Sequence, residues 1–164
     1  MDVNEKIIST WLTHHNYFVM DNIYFGQFHQ DIDLLAVNLL LREVLDIEVK
    51  VRTGSTKISD NDNKQNGFRH FVGQLKSLER DNKISEIIGD IGDFKIRKIF
   101  ITTRSLLGKV KSQKWIDSFS HEGIEVKFIE EIISELEDHA KGLPLSKNEV
   151  IQILRLQNIK NINR

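Results

Sequence analysis

The order of the predicted elements constrains the fold of this chain most. Apolar runs and alternating patterns predict strands at residues 17–20, 32–37, 44–51, 99–101 and 124–128. Helical spacing predicts helices at residues 3–15, 68–88, 109–121 and 130–140, and a last helix from Ser146. Short connections favour antiparallel pairing of the early strands, and helical connections favour parallel pairing of the later ones. The chain is therefore expected to adopt an α/β (mixed) fold with a central mixed sheet flanked by α-helices.

Length and composition narrow the classes of protein to which the chain can belong. Its 164 residues suit one domain, and the absence of cysteine excludes disulfides, a thiolate zinc site and a cysteine nucleophile. A net charge of -1 excludes a globally basic nucleic-acid-binding protein but not a local basic patch. The chain shows neither the positive start of a signal peptide nor an apolar run of about 18 residues, so we expect a cytoplasmic protein.

The strand at residues 44–51 carries charged side chains on one of its faces. Leu45, Ile47 and Val49 alternate there with Asp46, Glu48 and Lys50. Asp33 is the second residue of the preceding run at residues 32–37 and stands fifteen residues before Glu48. If the two strands are neighbours, Asp33 and Glu48 converge at one end of the sheet, with Lys50 on the same face as Glu48. The alternative is a charged face that is merely solvated.

These residue types suit the chemistry of phosphodiester hydrolysis. The carboxylates of Asp33 and Glu48, with the Val49 carbonyl, form the hard oxygen site that Mg²⁺ prefers, and Mn²⁺ is expected to substitute. Such a metal polarises a phosphoryl oxygen and lowers the pKa of a bound water. Lys50 can position or deprotonate that water and screen the charge of the phosphate. The pattern therefore predicts a metal-dependent hydrolase.

Asp33 followed by Glu48-Val49-Lys50 on a strand resembles the motif of the PD-(D/E)XK nuclease superfamily, whose fold is restriction-endonuclease-like. Holliday-junction resolvases belong to that superfamily. The resemblance covers residues 1–80 and includes Glu5 on the first helix and Gln74 on the helix after the lysine strand. It implies that Glu5 assists through a water or a second metal and that Gln74 orients Lys50 or a phosphate. Ile32 departs from the motif because it replaces the proline before the aspartate, and Asp31 becomes a rival ligand.

Several of these residues have simpler interpretations. Glu5 stands in capping-box register with Asp2, and Gln74 alone suits an exposed helix position. His29, Asp31 and Asp33 alternate onto one strand face and could bind a transition metal, or could form an exposed hairpin edge. His14 and His15 are interpreted as surface histidines.

A local basic patch is the expected contact with a polyanionic partner. The segment between Lys95 and Lys114 contains seven lysines and arginines and no acidic residue. A polar loop at residues 53–67 is long enough to be functional or disordered. The candidate nucleic-acid-binding residues are Arg52, Lys57, Arg69, Arg104, Lys109 and Lys111. The alternative for the segment is a solvated basic helix face.

We therefore expect a Mg²⁺-dependent endonuclease acting on DNA, structure-selective or weakly sequence-specific, with RNA as a further possible substrate. The rival hypothesis is a catalytically silent nuclease-fold module that binds nucleic acid or a protein partner. Residues 1–142 are expected to form the nuclease-like domain. Residues 143–164 are expected to form a C-terminal helix that packs on this domain or serves in a homodimer, and we favour the homodimer.

Overall fold

Five strands lie side by side in the sheet in the order in which they occur in the chain. The structure, a computed structural model, describes residues 1–26, 30–52, 54–60, 67–89, 93–142 and 147–162. The strands are β1 (Phe18–Phe25), β2 (Gln30–Asn38), β3 (Glu43–Lys50), β4 (Lys95–Thr102) and β5 (Ile124–Phe128). The helices are α1 (Val3–His14), α2 (Phe68–Leu75), α3 (Leu78–Ile88), α4 (Arg104–Leu107), α5 (Ser112–His121), α6 (Ile129–Gly142) and α7 (Glu149–Ile162).

The pairing of the strands confirms the predicted mixed sheet. β1 pairs with β2 and β2 with β3 in antiparallel fashion, as short connections dictate. β3 pairs with β4 and β4 with β5 in parallel, and each of these connections contains helices. In consequence Lys50 lies opposite Thr102, where β3 and β4 end together at one edge of the sheet.

Helices cover both faces of the sheet. On one face, α1, α6 and α7 pack Ile8, Leu12 and Leu136 against strand residues such as Ala36 and Ile47. On the other face, α2 and α5 pack an aromatic cluster against β4, and α3 packs Ile84 against β2 and β3. Both faces of β3 are therefore buried, which places its charged side chains in the interior.

The structure corrects two of the helices predicted in the middle of the chain. The region predicted as one helix over residues 68–88 consists of α2 and α3, because the Ser77 side chain accepts a hydrogen bond from the Arg80 amide and caps a new helix. Leu78, which continues the helical spacing of Phe71 and Leu75 in the sequence, is 74% exposed. The helix predicted from residue 109 begins at Ser112, and the short α4 precedes it.

The C-terminal helix packs on the same domain through its first turns. Val150, Ile151 and Leu154 belong to the core cluster formed with α1 and α6. The helix begins at Glu149 rather than Ser146, because Asn148 Oδ1 accepts hydrogen bonds from the Val150 and Ile151 amides. Ser146 lies outside the described residues. Among the helices described, none is long and apolar enough to cross a membrane.

Candidate active site

The candidate site forms where β2 leaves β3. The ladder between the two strands ends at the pair Leu34–Ile47, so Asp33, the residue just before Leu34, is not paired with β3. Asn22, which stands between the paired residues Asp21 and Ile23 of β1, has a φ of 51°, so the backbone of β1 is also irregular there. Asp33 turns towards β3, and its Oδ2 accepts a hydrogen bond from the Val49 amide at 2.6 Å. This bond fixes the carboxylate over the end of β3.

Lys50 joins the two predicted metal ligands. Its Nζ lies 2.9 Å from Glu48 Oε1 and 4.0 Å from Asp33 Oδ2. The side chains of Asp33 and Glu48 are only 10% and 4% exposed, whereas that of Lys50 is 31% exposed. The structure thus brings together the three residues that the sequence motif singled out, with the lysine on the solvent side of the two carboxylates.

Arg80, which the sequence analysis did not single out, lies beneath this group. Its guanidinium donates to Glu48 Oε2 at 2.8 Å, to Asp46 Oδ1 at 2.9 Å and to the Ile47 carbonyl at 3.3 Å. The side chain is 1% exposed. Arg80 stands four residues before Ile84, and both side chains lie on the buried face of α3. An arginine at a helical spacing that otherwise predicts an apolar residue was the sequence feature from which its burial could have been suspected.

The charged face of β3 is buried, contrary to the solvated alternative. Asp46 is fully buried, and besides Arg80 it accepts a hydrogen bond from Lys98 Nζ at 3.1 Å. Lys98 also donates to the Leu75 carbonyl and to Asp81. Buried charges are retained in a protein only where they are paired and hydrogen-bonded. The arginine and the two lysines provide this pairing for the carboxylates of β3.

The electrostatics of Asp33 and Lys50 follow from their closeness. Burial, followed by the charge of Glu48, raises the pKa of Asp33 to about 7. Burial acts to lower the pKa of Lys50, but the carboxylates of Glu48 and Asp33 raise it more strongly, so the shift is upward. Lys50 is therefore a cation at neutral pH, while Asp33 is poised between its two protonation states.

The other predicted site residues lie in different surroundings. Glu5 forms the capping box with Asp2: each side chain accepts a hydrogen bond from the backbone amide of the other at 2.9 Å. Gln74 lies on α2 and lines a cleft with Asp31 and Arg80 beside the site. Its side-chain oxygen is buried and has no partner within the described part of the chain. The transition-metal alternative depends on His29, which lies outside the described residues.

Most of the predicted nucleic-acid-binding residues lie at the same edge of the sheet as Lys50. Thr103 and Ser105 each donate a hydrogen bond to the Arg52 carbonyl at 2.8 Å, which holds α4 against the end of β3. Lys57, Lys109 and Lys111 line a cleft of about 370 Å³ that continues from α4. Arg104 pairs with Glu131, and Arg69 is exposed on α2.

The donor set suits a hard divalent cation. Among the described residues, no group of three or more histidine, cysteine, aspartate or glutamate side chains is placed to hold a metal. Two carboxylates and the Val49 carbonyl nevertheless offer three oxygens, which is the type of ligand that Mg²⁺ takes together with waters. Burial and, after it, the charge of Glu48 raise the pKa of Asp33, and a cation held between the two carboxylates would offset the contribution of Glu48. The residues therefore fit the metal that the motif implies.

Comparisons with known proteins bear on the fold and not on the activity. No family model matches the chain, and no curated protein matches it. A solved structure, described as the crystal structure of a protein of unknown function, AF1548, is similar over 87% of this chain and 71% of its own. The TM-score is 0.53 and the sequence identity 13%. A likeness at this identity concerns the shared α/β architecture alone.

Proposed function

We propose that this protein is a Mg²⁺-dependent endonuclease that hydrolyses phosphodiester bonds of DNA, with the restriction-endonuclease-like fold of the PD-(D/E)XK superfamily. The observation that carries the proposal is the meeting of Asp33, Glu48 and Lys50 at the end of β3. Burial of two carboxylates costs free energy. Titratable groups with strongly shifted pKa values cluster at functional sites, so this arrangement supports a catalytic role. A site of this composition serves the attack of water on a phosphodiester.

In this mechanism Asp33, Glu48 and the Val49 carbonyl would hold the metal. When bound, the metal supplies Lewis-acid polarisation of the phosphate and lowers the pKa of the attacking water. Arg80 holds Glu48 Oε2 from the interior side, so the carboxylate keeps its orientation. Lys50 keeps its proton at Nζ because of the two carboxylates, and its charge orients the water and stabilises the negative charge that develops on the phosphate.

The basic cleft provides a path for the nucleic acid. Lys109 and Lys111 are exposed on the turn that follows α4, and α4 is tied to the end of β3 through Arg52. Cations placed in this way neutralise phosphates without reading the bases. We therefore infer weak sequence preference and strong dependence on salt concentration.

One observation favours a second candidate, a nuclease-fold module that binds nucleic acid without cleaving it. Both oxygens of Glu48 already have cationic partners, Lys50 at Oε1 and Arg80 at Oε2. To bind a metal, Glu48 must share one of these oxygens or release Lys50. If Lys50 remained fixed on Glu48, the same residues would form a structural ion-pair network and no catalytic centre.

Metal binding separates the two candidates. A ligand that binds the native state raises its stability, by about 2.7 kcal/mol at a concentration of one hundred times its Kd. Mg²⁺ or Mn²⁺ is expected to raise the melting temperature of the wild type and not that of Asp33→Asn. Asp117→Asn, which alters an exposed carboxylate on α5, is the matched control and should respond as the wild type does. No shift with either metal in the wild type would favour the binding module.

Cleavage is tested with labelled duplex, single-stranded, flap and four-way-junction DNAs and their RNA counterparts. Wild type is expected to cut in the presence of Mg²⁺ or Mn²⁺, whereas Lys50→Ala should lose the activity and remain folded. Lys83→Ala, which removes a lysine paired with Glu86 on the surface of α3, is the control and should cut normally. Cleavage by Lys50→Ala at the rate of wild type would overturn the proposed mechanism.

A further inference from the structure

Exposed apolar side chains lie at the end of the sheet opposite the candidate site. The turn from β2 to β3 there consists of Leu39, Leu40, Leu41 and Arg42, although polar residues, glycine and proline are usual in turns. All three leucines are exposed, and the exposed fraction of Leu40 is 84%. Runs of exposed apolar residues are expected only where they serve a function. The leucine turn therefore indicates a contact surface.

Further exposed apolar residues stand at the same end of the sheet. In β1 to β4, the residues Phe18, Val37, Val44 and Ile96 lie opposite one another in register, so their side chains point to the same face. Val44 is buried within this row, whereas Phe18 and Ile96 at its two ends are exposed. Exposed apolar patches larger than those of ordinary monomers mark interaction sites. We call this surface the apolar end; it consists of Phe18, Leu39, Leu40, Leu41 and Ile96.

Hydrogen bonds hold the leucine turn in one conformation. Asn38 Oδ1 accepts hydrogen bonds from the Leu40 and Leu41 amides, both at 3.0 Å. Asn38 is buried, and its Nδ2 donates to the His15 carbonyl at 3.3 Å. A turn that is already fixed loses little conformational entropy when a partner binds. The leucines are therefore preorganised for an interface.

The charges beside the apolar end have both signs. The Arg42 guanidinium lies over the ring of Phe94, and the exposed Asp93 immediately precedes that phenylalanine. Within the described residues, neither Arg42 nor Asp93 has an ion-pair partner. Lys95, the other exposed cation here, lies close enough to Glu43 to interact with its charge. An anionic lipid surface attracts cations alone, whereas free charges of both signs make this surface complementary to a second copy of itself.

We propose that a second copy of this chain covers the apolar end, in a two-fold symmetric dimer in which Arg42 of each copy pairs with Asp93 of the other. The leucine turns would bury each other at the centre and the charges would lie on the rim, as in protein interfaces generally. From Glu43 to Lys50, β3 extends about 23 Å at the usual rise per residue. Association at the apolar end therefore leaves both candidate active sites open to solvent.

The C-terminal helix offers the competing surface for a homodimer. Val3, Ile7 and Ile153 line an apolar groove of about 230 Å³ between α1 and α7. Lys6 and Glu149, on the same two helices, already pair with each other. The groove thus lacks the free charges of opposite sign that make the apolar end self-complementary.

Sedimentation velocity of the full chain tests the dimer. The wild type is expected to be a dimer at micromolar concentrations. Leu40→Glu should raise the dissociation constant on the order of a hundredfold, because the substitution enters the centre of the interface twice. Circular dichroism should show that this variant is folded, since Leu40 is exposed in the monomer. Leu156→Glu, which alters an exposed leucine on α7, is the matched control and should remain a dimer.

Exchange of the rim charges tests the symmetric pairing. Arg42→Glu and Asp93→Lys each place like charges opposite one another at two positions, so each should weaken the dimer on the order of tenfold. The double variant restores opposite charges and should regain the affinity of the wild type. Failure of the double variant to regain it would overturn the proposed arrangement.

Other results would overturn the dimer as a whole. These are a monomeric wild type, a dimer that Leu40→Glu leaves intact and a dimer that Leu156→Glu dissociates. A monomeric wild type that pellets with vesicles of phosphatidylcholine and phosphatidylglycerol would assign the apolar end to a membrane instead. None of these measurements needs metal or cleavage, so a monomer that cuts DNA would reject the dimer alone, and a dimer that cuts nothing would reject the catalytic proposal alone.

Discussion

The guanidinium of Arg80 meets the carboxylate of Glu48 at 2.8 Å, although the two residues are 32 positions apart in the chain. Both side chains are almost fully buried, at 1% and 4% exposure. Asp46 shares the same guanidinium two residues earlier on β3. Arg80 on α3 therefore holds Glu48, a proposed metal ligand, from the interior of the protein. Because α3 and β3 are distant in sequence, the geometry of the site depends on the packing of the fold.

Removal of Arg80 should destabilise the protein strongly. Arg80→Met leaves two buried carboxylates, Asp46 and Glu48, with only lysines as partners, and breaking a buried ion pair costs about 3–5 kcal/mol. Urea unfolding at neutral pH measures the loss. Arg97→Met is the matched control, because Arg97 bridges Glu43 and Glu125 in a more exposed position and should contribute about 0–1 kcal/mol. Equal losses for the two variants would contradict the role assigned to Arg80.

The protonation of Asp33 should make the metal-free protein less stable as the pH rises. Its pKa is about 7 in the folded state, compared with an ordinary value of 3.8, so the folded state binds more protons between these values. The free energy of unfolding then falls between about pH 4 and pH 7 because of this group. Asp33→Asn imitates the protonated form and removes that decline.

This pH dependence is measured by urea unfolding with a chelator present. Asp33→Asn should match the wild type near pH 4 and exceed it above pH 7, by up to about 4 kcal/mol on the scale of 1.36 kcal/mol per pKa unit. Asp21→Asn, on the exposed edge strand β1, should run parallel to the wild type at every pH. Parallel curves for Asp33→Asn as well would show that this carboxyl ionises normally.

The capping box assigns Glu5 a structural role that can be separated from catalysis. Glu5→Ala and Asp2→Ala each remove one half of the reciprocal pair, so each should lower the free energy of unfolding by about 1 kcal/mol. If Glu5 serves only the helix, the two variants should cleave DNA at the same rate per folded molecule. A rate that falls in Glu5→Ala alone would instead support the assisting role that the nuclease resemblance implies.

The sequence could predict the sheet because the relevant signals are local. The alternation at residues 44–51 predicted β3, and short and helical connections predicted the antiparallel and parallel pairing. β1 and β4 are longer than the predicted strands at residues 17–20 and 99–101. The motif named Asp33, Glu48 and Lys50. Arg80 escaped prediction because its partners on β3 depend on the packing of α3 across the sheet. The sequence alone does not say whether an arginine on an apolar stripe is exposed or buried, because burial requires a carboxylate that faces it.

The break between α2 and α3 is a second feature that the spacing of apolar residues did not predict. Apolar residues at helical spacing continue from Phe71 through Leu75 to Leu78, so periodicity alone predicted one helix. Ser77 ends that continuity by capping the Arg80 amide, and Leu78 turns to solvent. Arg80 is the third residue of α3, the helix that Ser77 caps, and its side chain reaches Asp46 and Glu48 of β3.

The basic turn after α4 should determine how tightly nucleic acid binds without affecting the chemical step. Lys109→Gln and Lys111→Gln each remove one cation that can neutralise a phosphate, so each should reduce the slope of log affinity against log salt by about 1. Anisotropy titrations of a labelled DNA in a series of salt concentrations give the slope. Lys141→Gln, on α6 and paired with Asp138, should leave it unchanged. If the slopes of Lys109→Gln and Lys111→Gln also equalled that of the wild type, these two lysines would make no contact with the phosphates. The nucleic acid would then follow a different path from the end of β3.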